Sequence, residues 1–241
     1  MLTLENISMT VKTETGETKE ILKDVSFTID SPFTVITGPN GGGKSTTAKI
    51  IAGIYRPDSG RILWNGEDIT DLSITERAKL GIGFAFQAPV KFKGITVKDL
   101  LNMASGKELN VSEACAYLSS VGLCARDYIN REVNGSLSGG ELKRIEIATV
   151  LARGTALSVF DEPEAGIDLW SFGSLITVFE NMRKKVNGSI VIISHQERIL
   201  GIADKIIVIS GGKVEKEGAR DDILPGLLGS DRVCSVLAEN M

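Results

Sequence analysis

The stretch Gly38-Pro39-Asn40-Gly41-Gly42-Gly43-Lys44-Ser45 is the most informative part of this 241-residue chain. It fits the pattern G-x-x-x-x-G-K-S/T, a loop that binds the phosphates of a nucleotide. Its glycines let backbone N–H groups converge on a phosphate, and a helix after it adds the positive end of its dipole. Lys44 would supply a charge to the β- and γ-phosphates, and Ser45 a hydroxyl ligand for Mg²⁺. We call this stretch the phosphate loop, and it predicts a nucleotide site.

The residues on either side of the phosphate loop have the pattern that such a loop requires. Residues 32–37 are largely apolar and predict a short buried strand, whereas residues 46–52 predict a helix. Thr46, at the start of that helix, is a further candidate contact to the nucleotide. The plain alternative is a glycine-rich turn that caps an ordinary helix. Strand, loop and helix in this order favour the nucleotide site.

The composition is that of an ordinary globular protein and excludes several classes of function. Hydrophobic residues make up 42% of the chain, charged residues 24%, and the net charge is −4, so nucleic acid is not expected as a partner. The longest apolar runs have strand length, and the N-terminus lacks the pattern of a signal peptide. We therefore expect a cytoplasmic protein without direct membrane insertion. The three cysteines are too irregularly spaced for a disulfide framework or a zinc site, and we expect buried thiols unless two subunits share a site.

The order of apolar segments predicts an α/β fold whose core is a mostly parallel sheet. Residues 2–9 alternate apolar and polar side chains and, with a second strand over 21–29, predict an N-terminal antiparallel β subdomain. Further short buried strands alternate with helix-length segments, which is the pattern of a parallel sheet. Between residues 89 and 153, short helical segments replace the strands. We expect a single domain with a core over 1–88 and 154–241 and an inserted helical lobe over 89–153.

Polar residues occur at three predicted strand ends, where ligands of open α/β sheets bind. Asp161 and Glu162 follow a buried strand, so Asp161 is a candidate ligand of Mg²⁺ and Glu162 a candidate base for the attacking water. Gln87 ends another strand and could ligate Mg²⁺ or orient water. A lone histidine is more often structural, but the place of His195 after a strand favours a hydrogen bond to the γ-phosphate.

A fourth candidate lies at the start of a long amphipathic helix. Ser138 fits a helix N-cap with Glu141 three residues later, which is a capping box. The plain interpretation is a helix start with no further role. The functional interpretation adds that the Ser138 hydroxyl and exposed amides, that of Gly140 among them, bind the γ-phosphate of a nucleotide held by another molecule.

Together these motifs resemble, in order and across nearly the whole chain, the ATPase domain of the ABC superfamily. The matching stretches are its Walker A loop (38–45), Q-loop (Gln87), signature motif (137–141), end of Walker B (160–162), D-loop (165–168) and switch histidine (His195). The resemblance implies ATP and Mg²⁺ as cofactors, with Mg²⁺ held by Ser45, Gln87 and Asp161. It implies that Lys44, Gln87, Glu162 and His195 act in hydrolysis. It also implies a transient ATP-dependent homodimer, in which the signature motif of each subunit meets the Walker A loop of the other.

The helix after the signature motif resembles one branch of the superfamily, SufC, the ATPase of the SUF iron–sulfur cluster assembly machinery. Residues 138–147 read SGGELKRIEI and are similar to its SGGE-x-KR-x-EI pattern, whereas transporter ATPases usually continue with a run such as QRVAIARAL. Residues 84–90, 161–168 and 194–200 are similar to SufC as well. This resemblance implies a SufB-like scaffold protein as partner. The alternative is the ATP-binding subunit of an ABC membrane transporter, to which residues 53–60 are closer.

One position departs from the superfamily pattern. The aromatic residue that often stacks on adenine is missing, and Val11 is the nearest match in register. The resemblance thus implies that Val11 contacts the base and that selectivity among purines is loose.

Overall fold

The computed structural model describes residues 1–12, 16–167, 169–185 and 188–238. The first part of the chain forms β1 (Leu2–Lys12), β2 (Thr18–Ile29), β3 (Phe33–Thr37), α1 (Lys44–Ile51), β4 (Ser59–Trp64), β5 (Glu67–Asp68), α2 (Ile74–Lys79) and β6 (Ile82–Ala85). It is followed by α3 (Val97–Ser105), α4 (Val111–Ser120), α5 (Ala125–Tyr128), α6 (Gly139–Arg153), β7 (Leu157–Asp161), α7 (Leu169–Lys185), β8 (Ser189–Ile193), α8 (Glu197–Gly201), β9 (Lys205–Ser210), β10 (Lys213–Ala219) and α9 (Arg220–Ala238).

The chain divides into two compact units, and the first comprises Met1–Leu72 and Ile193–Met241. It contains an antiparallel sheet in the order β2-β1-β4-β5, as the sequence predicts for the N-terminal subdomain. It also contains β3 and β9, which pair in parallel from Thr34 opposite Lys205 to Thr37 opposite Val208. The side chains of β3 are all buried, because a strand inside a parallel sheet is covered on both faces.

The second unit comprises Ser73–Ile192. Strands β6 and β7 pair in parallel, with Ile82 opposite Leu157, and β8 lies next to β7. Helices α3 and α4 both pack against α6. Each of these three helices begins with a complete capping box, in which an N-cap side chain and an acidic residue three positions later satisfy each other's backbone N–H groups.

The α/β fold with parallel core strands and an antiparallel N-terminal subdomain is confirmed. The structure adds β10, antiparallel to β9, which the sequence does not predict because its side chains are mostly charged. The stretch after residue 219 is one helix, α9. None of the helices among the described residues is apolar over a length that would cross a membrane.

The expectation of buried thiols is wrong for the cysteines that the structure describes. Cys115 is half-buried on α4, and Cys124 is exposed because it occupies the N-cap position of α5 at the surface of its unit. The side chain of Cys234 lies outside the described residues.

Candidate active site

The phosphate loop has a backbone that only glycine can follow at its first position. Gly38 has φ +133°, and a Cβ on it would lie 2.1 Å from the carbonyl oxygen of Ile209 at the end of β9. A Cβ on Gly42 would lie 2.7 Å from the same oxygen. Both distances are too short for a real side chain, so the spacing of the motif reflects the close approach of the loop to β9.

Lys44 closes the phosphate loop on itself. Its ammonium group donates hydrogen bonds to the carbonyl oxygens of Gly38, at 2.8 Å, and Pro39, at 2.9 Å. The side chain is buried despite its charge, and it lies along the inside of the loop. The loop is therefore already curved around the position of the lysine ammonium group.

Helix α1 begins at Lys44, directly after the phosphate loop, and its N-terminus is shaped by backbone rather than by a capping side chain. The N-cap residue Gly43 has φ +104° and supplies no side-chain hydrogen bond. Ser45 and Thr46, the next two residues of α1, are half-buried. The first N–H groups of a helix lack intrahelical acceptors, so this N-terminus suits an anion.

The first unit also brings His195 to the phosphate loop. Thr37, Gly38, Pro39 and His195 line one cavity of about 530 Å³. The neighbouring Ser194 is held in place because its N–H donates to the carbonyl oxygen of Ile36, at 3.1 Å. The imidazole is exposed, and its Nε2 lies 3.3 Å from the side-chain nitrogen of Gln196.

Val11, the candidate contact to the base, is half-buried near the end of β1, opposite Lys19 of β2.

In the second unit, the structure brings Gln87 and Glu162 together. The Gln87 side-chain amide donates to Glu162 Oε2 at 2.5 Å, although the two residues are 75 positions apart. Glu162 has φ +44° directly after β7, which is an unfavourable backbone for a glutamate and costs about 1–3 kcal/mol. Such strain is common at functional sites. Asp161 is buried as the last residue of β7, and Asp168 of the expected D-loop lies outside the described residues.

A contact that sequence reasoning missed fixes the main chain next to Gln87. The Phe86 N–H donates to Glu146 Oε1 at 3.0 Å, and the Lys143 ammonium donates to the Phe86 carbonyl oxygen. Lys143 also forms an ion pair with Glu146 at 2.9 Å and is only 1% exposed. We call these three residues the Phe86 clasp. Its sequence signal is a lysine at a core-facing position of α6 with a glutamate three residues later.

The signature motif starts α6 as the capping box predicts. The Ser138 hydroxyl accepts from the Glu141 N–H at 3.3 Å, and Glu141 Oε2 accepts from the Ser138 N–H at 2.6 Å. The Tyr128 hydroxyl donates to the other oxygen of Glu141. This hydrogen bond and that from the Ser138 amide hold the pKa of Glu141 below its usual range. The same bond to Glu141, with burial second, raises the pKa of Tyr128.

Comparison with known proteins agrees with this fold and these motifs. A sequence model of the family "ABC transporter" matches residues 22–165. The chain is 40% identical over 83% of both sequences to an uncharacterized ABC transporter ATP-binding protein, MJ0035, of Methanocaldococcus jannaschii. It is 34% identical over 84% of both sequences to the probable ATP-dependent transporter ycf16 of Cyanophora paradoxa.

A solved structure is similar as well: the dimeric ATP-binding cassette MJ0796, bound to ADP and phosphate after hydrolysis. It has a TM-score of 0.80 and 26% identity, over 91% of this chain and 99% of that one. The chain therefore belongs to the ABC family of ATP-binding cassettes. It is an ATPase that uses ATP with Mg²⁺.

Proposed function

We propose that this ATPase acts in the cytoplasm and drives a SUF-like scaffold protein for iron–sulfur cluster assembly, by dimerising when ATP binds. The phosphate loop, with Lys44 and Thr46, would bind the phosphates of ATP. Ser45, Gln87 and Asp161 would hold Mg²⁺, which stabilises the negative charge of the phosphates. The dimer would be complete only when the signature motif of each subunit reaches the ATP of the other.

The same proposal assigns the hydrolytic roles. Glu162 would accept the proton of the attacking water, and the Gln87 amide, which donates to its carboxylate at 2.5 Å, would orient it. His195 would hydrogen-bond the γ-phosphate, which is supported by its place in the cavity beside Gly38 and Pro39. The Lys44 ammonium group would give up its hydrogen bonds to the carbonyl oxygens of Gly38 and Pro39 and donate to phosphate oxygens instead.

The observation that carries the SUF assignment is the Phe86 clasp. Lys143 and Glu146 belong to the KR-x-E letters by which residues 138–147 resemble SufC. In a transporter-type run such as QRVAIARAL, whose arginine aligns with Arg144, the position of Glu146 is an alanine, which cannot accept the Phe86 N–H. The letters that distinguish the two branches are thus those that hold the main chain next to Gln87.

A groove in the second unit supports a partner that docks by an apolar surface. Large apolar side chains line a cavity of about 170 Å³, among them Phe84, Phe86, Val90, Phe92 and Leu142. Phe86 is 42% exposed and Val90 46%, which is unusual for large apolar side chains that meet at one opening. We call this the Phe86 groove, and we propose that an amphipathic helix of the scaffold occupies it. A helix docked in the groove would contact Phe86, and through the main chain it would affect the position of the next residue, Gln87.

The second candidate is the ATP-binding subunit of a membrane transporter. The names of MJ0035 and ycf16 favour it, and residues 53–60 are closer to the transporter pattern. In that case the Phe86 groove would receive a helix of a membrane-embedded partner. Both candidates use the same ATP chemistry and differ only in the partner.

The test is to identify the partner that binds the ATP-bound protein. Glu162→Gln removes the base and should keep ATP bound, so this variant is used as bait in its native cells with ATP and Mg²⁺, and mass spectrometry identifies what it retains. A SufB-like scaffold is the expected partner. An integral membrane protein would overturn the SUF assignment and establish the transporter candidate.

A matched pair of variants locates the partner on the surface. Val90→Glu places a charge in the Phe86 groove, whereas Val111→Glu places the same charge at an exposed valine on α4. In the Glu162→Gln background, the first should lose the partner and the second should keep it. Equal retention by both would exclude the groove as the docking site.

A further inference from the structure

The signature motif is held by side chains that lie outside it. Glu141 Oε1 accepts a hydrogen bond from the Tyr128 hydroxyl at 2.5 Å and lies 3.7 Å from Arg131 Nη1. The Arg131 guanidinium also donates to the carbonyl oxygen of Ser136 at 3.2 Å. Tyr128 and Arg131 therefore hold the motif from two sides, through the Ser136 carbonyl before it and the Glu141 carboxylate at its end.

These two side chains also support each other. The Arg131 guanidinium lies 5.2 Å from the centre of the Tyr128 ring, which is a cation–π distance. Stacking on the ring limits the positions open to the guanidinium group, and the hydroxyl of the same ring fixes the carboxylate that the guanidinium faces. The three groups form one connected network at the side of α6.

The chain segment that carries Tyr128 and Arg131 is itself anchored. The Val97 N–H donates to the Arg131 carbonyl oxygen at 2.9 Å, and the Lys98 N–H donates to the Ile129 carbonyl oxygen at 3.0 Å. These hydrogen bonds tie the segment to the start of α3, which has its own capping box. Tyr128 and Arg131 thus project from a backbone whose position is fixed independently of the signature motif.

The capping box uses some of the N–H groups at the start of α6 and not others. The capping box uses the N–H of Ser138 and that of Glu141. Between them, Gly139 and Gly140 carry the first two N–H groups of the helix, and such groups have no intrahelical acceptor. Gly139 is exposed and Gly140 half-buried. A rotated Glu141 would release the Ser138 N–H and let this first turn change its direction.

We propose that Tyr128 and Arg131 are positioning residues for ATP hydrolysis, because they hold Glu141 so that the first turn of α6 presents its N–H groups to a γ-phosphate on a second copy of the chain. The inference rests on the ATP-driven homodimer of the proposed function. The inference goes beyond that function because it makes the contact between the two subunits depend on side chains outside the signature motif. Loss of these side chains should therefore weaken the dimer and its ATP turnover, and it should leave nucleotide binding by one subunit unchanged.

The experiment removes one hydroxyl group. Tyr128→Phe keeps the ring that stacks on Arg131 and deletes only the donor to Glu141, and Tyr117→Phe on α4 deletes a hydroxyl from a half-buried tyrosine of the same unit as the matched control. Both are made in the Glu162→Gln background for dimerisation, measured by analytical ultracentrifugation with ATP and Mg²⁺. Both are also made in the wild-type background for kcat, KM, the Kd for ADP and the melting temperature.

For Tyr128→Phe we expect the dissociation constant of the dimer to rise about tenfold or more. Each dimer contains two signature motifs, and each motif loses a hydrogen bond to a charged group. The kcat should fall with it, while the Kd for ADP stays near that of Tyr117→Phe and the melting temperature falls by no more than the loss of one hydrogen bond explains. Arg131→Lys, which keeps the charge and loses the fork that reaches both Ser136 and Glu141, should give the same pattern.

Three results would overturn the inference. If Tyr128→Phe dimerises as well as Tyr117→Phe, the hydroxyl does not position the signature motif. If the ADP affinity and melting temperature fall together with dimerisation, Tyr128 is a structural residue of its unit. If the Glu162→Gln parent does not dimerise with ATP at all, the proposed homodimer itself is wrong, and this outcome is distinct from the other two.

Discussion

The two helix N-termini that carry the candidate phosphate contacts are built in opposite ways. Helix α1 follows Gly43, which has a left-handed backbone and no side-chain cap. Helix α6 follows Ser138, which forms a complete capping box with Glu141. At α1, the close approach of a glycine backbone to β9 sets the shape of the N-terminus. At α6, a network of side chains sets it.

The difference teaches where each site is vulnerable. The phosphate loop leaves no room for a Cβ at Gly38, so its shape depends on residue size. The signature motif leaves room, because a Cβ on Gly139 would lie 3.4 Å from the nearest atom, the carbonyl oxygen of Gly166. Its shape depends instead on hydrogen bonds to Glu141. Four predictions would break or sharpen this contrast, and the largest effect comes first.

Lys44→Ala should abolish nucleotide binding, because it removes the charge that faces the phosphates, and we expect the affinity for ATP to fall by at least about 100-fold. Fluorescence titration with a labelled ATP analogue measures it. Lys49→Ala, five residues further along α1, removes an equal charge next to Tyr55 and serves as the control. Unchanged affinity in Lys44→Ala would mean that the loop binds phosphate through its backbone alone.

Gly38→Ala should destabilise the fold, whereas Gly139→Ala should not. The first substitution forces a Cβ to within 2.1 Å of Ile209 and requires φ +133° of an alanine, for which we expect a loss of about 2–4 kcal/mol. The second lies at an ordinary contact distance in the first turn of a helix. Urea unfolding of both variants measures the contrast. Equal losses would show that the two loops do not differ in how tightly they are packed.

The sequence predicts the phosphate loop and the start of α6 because both are local patterns, in which the residues that act together lie within eight positions. It predicts Gln87 and Glu162 as single candidates, but their hydrogen bond spans 75 positions and is set by the sheet. The Phe86 clasp escapes prediction for the same reason, since Lys143 reaches a main-chain carbonyl 57 positions away. The lysine and the glutamate of α6 are visible in the sequence, but the main-chain groups of Phe86 that they bind are not.

Tyr128 is a different case, because only 13 positions separate it from Glu141. Its short helix α5 has four residues and no side-chain cap, so no periodicity marks it. The chain between α5 and α6 has no repeating pattern that would give the direction of the tyrosine side chain. Local spacing therefore predicts the capping box of Ser138 and Glu141, but it does not predict Tyr128, which donates to Glu141.

Ser138→Ala should have a moderate effect on stability, because loss of an N-cap side chain costs about 1 kcal/mol. Ser136→Ala is the control, since the contact of Ser136 to Arg131 uses its backbone carbonyl and survives the substitution. Urea unfolding of the pair measures the cap. The Kd for ADP should be the same in both variants, because we assign nucleotide binding within one subunit to the phosphate loop. A larger loss in Ser136→Ala would contradict the capping box as the main support of this turn.

The smallest expected effect concerns pH and again separates the two helix starts, because only α6 has a carboxylate in its first turn. The Tyr128 hydroxyl and then the Ser138 amide hold the pKa of Glu141 below its usual range. A carboxyl group of this kind stabilises the fold fully above its unfolded pKa, about 4.3, and the stabilisation is lost as the pH falls through the folded pKa. Glu141→Gln should therefore be less stable than the wild type at pH 7.

The gap between Glu141→Gln and the wild type should narrow as the pH falls from about 4.3, where the unfolded wild-type chain takes up a proton, through the lower pKa of Glu141 in the folded protein. Urea unfolding at a series of pH values measures this gap. Glu108→Gln, at an exposed position of the same unit, removes the same charge and is the control. A gap that stays constant from pH 7 to pH 3 would mean that Glu141 holds the turn by its shape and not by its charge, and the contrast with α1 would then lie in side-chain packing alone.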